Sequence, residues 1–314
     1  MKNSIRGCLT PDKAAILNGI FIGEKTMLSQ EIKDDFTNAG VMHLLVASGL
    51  NVGYVTAIFW FVMRFLPLPN FWRRILLVTP VIAYCFIAGA NPPIVRATVM
   101  ALSVIACYIL ERESLIYHSL ALAAFVIMIF DPPALFGASF QLSFAACLGI
   151  FYIYPKLTKS VSGQSEVVSG IWYYLRLTLH DLRLLFCVSL SAQIAVAPLL
   201  AYYFYKLSII SIAANLILVP FAGIMLWLCF VQFFVFMFFP PLLSITTFLC
   251  DMSAGLMIYL ADFFAGLPGA VWHTGQPPVA LIVSLYASGF IFIALKKFVH
   301  KIITLCLIIF LIFF

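Results

Sequence analysis

Charge is what this chain has least of. Only 10% of its 314 residues are Asp, Glu, Lys or Arg, against about a quarter in an ordinary soluble domain, while 64% are hydrophobic and mean hydropathy is +1.11. A water-soluble globule is excluded. The eight cysteines stand singly, at Cys8, Cys85, Cys107, Cys147, Cys187, Cys229, Cys250 and Cys306, so neither a disulfide framework nor a thiolate metal site is suggested. The five histidines, His43, His118, His180, His273 and His300, lack metal-ligand spacing, and no metal or cofactor is expected. A G-x-S-x-G elbow and a Walker lysine motif are absent, and His43 and Ser48 fall on different helix faces. The chain is expected not to be an enzyme. No secretory h-region precedes the apolar part, so no cleaved leader is expected. The net charge of +6 reports loop topology in a membrane chain and does not by itself imply nucleic acid.

What is there is length in apolar runs. A helix needs roughly 20 apolar residues to cross a bilayer, and about nine or ten such runs follow one another. Their period is not the alternation of a β-barrel. The reading is all-α: a polytopic helical membrane bundle with amphipathic surface helices at its N-terminus. Residues 1–40 form that amphipathic segment, in which Ile16, Leu17, Ile20 and Phe21 recur at helical spacing, Gly23 ends the pattern and Ser29 caps a second helix carrying Ile32 and Phe36. Packing of these helices on the bundle is the alternative to lying on the membrane.

Residues 41–301 form the transmembrane domain and 302–314 an apolar tail, short for a span. Spans are expected over 41–66, 75–87, the stretch after Arg96, 115–130, 138–154, 184–205, 207–220, 221–239, 242–261 and 279–295. The polar interruption 156–183 divides them into two groups, with Trp172, Tyr173 and Tyr174 as interfacial anchors of a surface helix. Arg64, Arg73, Arg74, Arg112, Lys156, Lys159, Arg176 and Arg183 follow spans one, three and five, which by the positive-inside rule places those loops in the cytoplasm and the N-terminus outside.

The stretch Gly40 to Val52, GVMHLLVASGLNV, sets polar groups inside the first apolar run. Unpaired in lipid they cost several kcal/mol each, so they face protein or water. Residues of the same kind recur along the chain, and His43, Ser48, Gly49, Asn51, Arg96, Asp131, Gln141, Ser143, Gln193 and Asn215 are the candidate lining of a polar path. The alternative is interhelical hydrogen bonding, worth roughly 0.6 kcal/mol per contact. Arg96 and Asp131 fall in loops on one side and are expected to approach each other, as an ion pair or with Arg96 offering a bidentate donor to a phosphate.

HLLVASGLNV from His43 to Val52, NPPIVRATVM from Asn91 to Met100 and FQLSFAACLGI from Phe140 to Ile150, in this order and spacing, resemble the signatures of the ComEC competence family of DNA-uptake channels. The later Gln193, Pro198, Ser208, Asn215 and Pro220 look like the same domain's second half. The resemblance covers residues 17–295. Asn51 stands where the family commonly has histidine, and Gly137 and Ser139 where Asp and Gly are usual.

The resemblance implies a multi-pass protein of the bacterial inner, cytoplasmic membrane that passes single-stranded DNA into the cytoplasm during transformation. Family members usually carry OB-like and nuclease domains beside this one. With neither in these 314 residues, separate nuclease, DNA-receptor and motor proteins are the implied partners, besides the DNA, the lipid bilayer and a second copy in a homo-oligomer. Positive charge at the mouth and aromatic surfaces for bases suit such a path, with Tyr84, Tyr108 and Tyr152 as stacking candidates. The other readings are a degenerate, non-transporting remnant or membrane scaffold, and a small-solute transporter, although no internal repeat supports the last.

Overall fold

A computed structural model describes residues 10–24, 27–45, 48–110, 116–161, 171–275 and 277–294. The tail 302–314, the basic cluster from Lys296 to Lys301 and the charged turn from Glu111 to Glu113 lie outside the described residues. Helices dominate: α1 Pro11–Ile22, α2 Gln30–Asn38, α3 Gly49–Arg64, α4 Asn70–Ile87, α5 Pro92–Ile109, α6 Ile116–Phe130, α7 Ala138–Val161, α8 Ile171–Phe204, α9 Ser211–Phe238, α10 Leu243–Ala265 and α11 Val279–Ala294. Six are long and apolar enough to cross a membrane among the described residues. Their outer faces carry large apolar side chains in the open, Phe130 at 84% exposure among them, over an area that a soluble monomer does not leave uncovered.

The expected count of nine to ten spans is not confirmed, for three local reasons. The first apolar run is broken, because Met42–Leu44 forms a 3-10 turn and Ser48 is extended, so α3 starts only at Gly49. At 16 residues it is about 24 Å long, short of a 30 Å hydrocarbon core. The expected spans 207–220 and 221–239 are replaced by α9, one helix of 28 residues with Pro220 inside it. A proline removes one N–H, and membrane helices tolerate that where neighbours cover the freed carbonyl. Ile116–Phe130 is apolar but shorter than a full span.

The helix expected on the surface near Trp172 is the first part of α8, whose backbone continues from Ile171. The fold also has a β component that helical periodicity did not announce. β1 Lys206–Ser208 and β2 Val271–His273 pair antiparallel, with Leu207 opposite Trp272. Tyr205, at φ 56, turns the chain out of α8 into this ribbon, and its carbonyl accepts from the Thr274 N–H at 2.9 Å.

Successive helices pack as hairpins, α7 against α8 and α9 against α10, while α3, α4 and α5 touch one another and α7 packs on α5. Small residues set the α7–α8 contact: a Cβ on Gly149 would collide with Ala195 and lie 2.8 Å from the Ser191 carbonyl oxygen. This is the close approach that helices use where lipid supplies no hydrophobic drive.

Both N-terminal helices pack on the bundle, the second of the two alternatives, and differ in how deeply they are buried. Ala14 to Ile20 are buried without interruption in α1, which packs against α9 and α10. It is therefore not a surface helix. From Ala14 to Ile22 it has no charge, and a helix apolar all round is buried all round. Gly23 ends it in the left-handed conformation, φ 82, with its N–H returned to the Asn18 and Gly19 carbonyls. Lys13 Nζ meets Asp251 Oδ2 of α10 at 2.7 Å, and the Phe21 ring stands edge-on to Phe230, centroids 5.1 Å apart.

In contrast, α2 is amphipathic. It buries Ile32 and Phe36, exposes Glu31 and Asp34, and is capped by the Ser29 hydroxyl accepting from the Ile32 N–H. Its apolar face lies on α10.

Burial, and then the charges of Asp262, Glu31 and Asp34, hold the Asp35 carboxyl above the usual carboxylate range. A raised pKa means that the folded state binds the proton more tightly, so stability rises as pH falls through the raised value and the gain is complete below the unfolded pKa, about 3.9. Melting of the purified protein between about pH 7 and pH 4 checks this. Wild type gains melting temperature relative to Asp35→Asn on acidification, and parallel curves contradict it.

Candidate functional site

Placed in the structure, most of the polar residues singled out in the sequence are occupied in holding helices together. Asn51 Nδ2 donates to the Ile20 carbonyl at 2.9 Å, tying α3 to the last turn of α1. Gln141 accepts from the Tyr203 hydroxyl at 2.9 Å and donates to the Leu135 carbonyl at 3.2 Å, joining α7, α8 and the turn Pro132–Phe136. Gln193 donates to the Ser208 carbonyl at 3.3 Å, which attaches β1 to α8. Asn215 donates to the Ser189 hydroxyl at 3.1 Å between α9 and α8. Ser143 is half-buried on α7, and His43 is exposed on the turn Met42–Leu44.

Arg96 differs in kind. The two prolines, expected to stop a helix, instead open α5 at Pro92, and Arg96, expected to start a helix, stands in its second turn, because proline's fixed φ and missing N–H suit a first turn. Its side chain is only 8% exposed, and its Nε and Nη1 are buried with no acceptor. The expected ion pair with Asp131 is not formed. Asp131 is exposed at the start of the Pro132–Phe136 turn, and Arg96 points instead into the bundle. Around the guanidinium stand the Phe144 ring, its centroid 5.7 Å from Cζ, and the first turn of α3, with the Cys147 thiol one turn along α7 from Phe144. A Cβ on Gly49 would lie 2.8 Å from Arg96 Nη2 and 3.1 Å from the Ala97 Cβ. Glycine at this position lets the cation reach the helix end.

The three stretches that carry the family resemblance therefore converge here. Gly49 and Ser48 come from the first, Arg96 from the second, and Phe144 with Cys147 from the third. Of the stacking candidates, Tyr84 is buried, whereas Tyr108 lies exposed under Arg74, 4.3 Å from its centroid, and Tyr152 under Lys156 at 3.6 Å. Sequence reasoning missed Asp251, although an isolated acid inside an apolar run is a signal in itself. It also missed Tyr203, whose position nothing in the local pattern marked, while Ser208 was marked only through the family resemblance.

Comparison with known proteins fits this convergence. The family model described as competence protein matches residues 20–299. This chain belongs to the competence protein family. The match begins in the last turn of α1 and takes in every later described element. Among curated proteins, ComE operon protein 3 of Bacillus subtilis (strain 168) is 30% identical over 213 residues, 68% of this chain and 25% of that protein. A protein of Aquifex aeolicus (strain VF5), described as uncharacterised, is 26% identical over 268 residues, 84% of this chain and 57% of that one. The competence-family chain thus spans about a quarter and a little over half of these relatives' lengths. No solved structure matches it.

Hydrogen-bonded side chains and an uncompensated buried cation respond oppositely to removal. Tyr203→Phe loses the bond to Gln141 and lowers stability by about 0.6 kcal/mol, the average for interhelical bonds in membranes. Arg96→Gln removes a buried charge that no acceptor compensates and raises stability. Thermal melts in one detergent check both signs, and a lower melting point for Arg96→Gln contradicts this view of the site.

Proposed function

We propose that this chain is an inner-membrane channel component that passes single-stranded DNA into the cytoplasm during natural transformation. The observation that carries the reading is the competence family match, which runs from the end of α1 through the whole described bundle. A buried arginine without an acidic neighbour supports it, because a structural arginine in lipid is expected to be paired. The aromatic faces of Tyr108 and Tyr152, each already under a cation, suit a strand whose bases stack and whose backbone is anionic.

In this reading the chain does no bond-breaking chemistry. Degradation of the second strand and the pulling force belong to a separate nuclease and motor, and capture of DNA to a receptor outside. The membrane domain contributes a route and a selectivity for anions.

The test is delivery of labelled DNA to the cytoplasm of cells lacking the chain, complemented with wild type, Arg96→Ala or Arg96→Lys at equal membrane levels. Wild type restores uptake, Arg96→Ala does not, and Arg96→Lys restores it in part because charge survives while the bidentate fork is lost. Normal uptake in cells lacking the chain contradicts the reading.

A further inference from the structure

The end of α3 and Arg96 together have the parts of an anion seat. α3 is a helix of 16 residues, and its N-cap Ser48 makes no side-chain bond to the helix's first amides. The Ser48 hydroxyl is directed instead to the Asn51 side chain at 3.4 Å. The Asn51 N–H returns to the Ser48 carbonyl, and the first amides of α3 are of the kind that a helix leaves without an intrahelical acceptor. Unsatisfied N–H groups and the positive end of the helix dipole favour an anion at such a terminus.

The second observation is independent of the helix end. Arg96 is 8% exposed, two of its three nitrogens lack an acceptor, and Nη2 reaches to where a Gly49 side chain would begin. On its other side is the Phe144 ring, which supplies a face and no hydrogen bond. Every neighbour named here can donate or stack, and none brings a negative charge.

The geometry points to a seat for one backbone phosphodiester of single-stranded DNA, formed by the Gly49 and Leu50 amides and the Arg96 guanidinium, with Phe144 beside it. This rests on the DNA-channel reading and deepens it. A phosphodiester has two free anionic oxygens, one for the planar fork of Arg96 and one for the helix amides. Such a contact positions a strand without reading its sequence.

The purified full chain, binding a fluorescent 12-nucleotide strand in anisotropy titrations at several salt concentrations, tests the seat; inorganic phosphate is added separately in thermal-shift assays. For Arg96→Gln, affinity falls about tenfold for thymine, adenine and cytosine strands alike, and the salt slope decreases by about the 0.7 expected for one phosphate on a single strand. Gly49→Ala, which keeps the charge but displaces the guanidinium, weakens binding too. A strand with a neutral methylphosphonate backbone binds wild type and Arg96→Gln equally.

Strand binding that ignores both substitutions, in variants that melt as folded protein, overturns the seat and leaves the channel reading standing. Arg96-dependent stabilisation by inorganic phosphate without any binding of the strand overturns the phosphodiester assignment, and the channel reading with it.

Discussion

Lipid offers a polar group nothing to bond to, and the arrangement of this bundle follows from that constraint. Each polar side chain inside the apolar runs needs a protein acceptor or donor, and where it finds one fixes which helices meet. Asn51 fixes α3 to α1, Gln141 joins α7 to α8, Gln193 holds the ribbon strand, and Asn215 joins α9 to α8. The Ser208 hydroxyl reaches the Asn38 carbonyl at 2.9 Å and so binds the ribbon to the end of α2. These bonds are individually small, and their value lies in sparing the groups they join the larger cost of burial unpaired, a cost that Asn215 Oδ1, Tyr84 Oη and Thr98 Oγ1 still bear.

Against that background Arg96 carries the largest mismatch. A guanidinium has five donors and no way to shed its charge, and here it is buried beside an aromatic ring and the first turn of α3. Such an arrangement lowers stability and persists where something outside the fold supplies the missing acceptor. Gly49 belongs to the same device, since any side chain there would occupy the space that the cation uses. The strained element and the family signatures coincide, as expected when stability yields to function at a site.

Much of this was legible in the residues. Ser29 as a cap, Gly23 as a stop and the apolar runs as membrane helices all follow from local chemistry. Three features escaped. The break before α3 came from a 3-10 turn that hydropathy averages away, and α9 runs through Pro220, which a membrane helix tolerates more readily than a soluble one. The ribbon, with strands 63 residues apart from Ser208 to Val271, depends on tertiary pairing that no local period encodes. For the site, the sequence marked Arg96 but paired it with Asp131, because loop topology says which side a residue is on and not which way it points.

Charge-selective labelling of Cys147, the thiol beside Arg96, tests most directly whether an anion from water reaches this guanidinium. In a chain whose other cysteines are removed, a negatively charged methanethiosulfonate should modify Cys147 faster than a positively charged one. Arg96→Gln should abolish the preference. No labelling by either reagent, or faster labelling by the cation with Arg96 intact, contradicts the account.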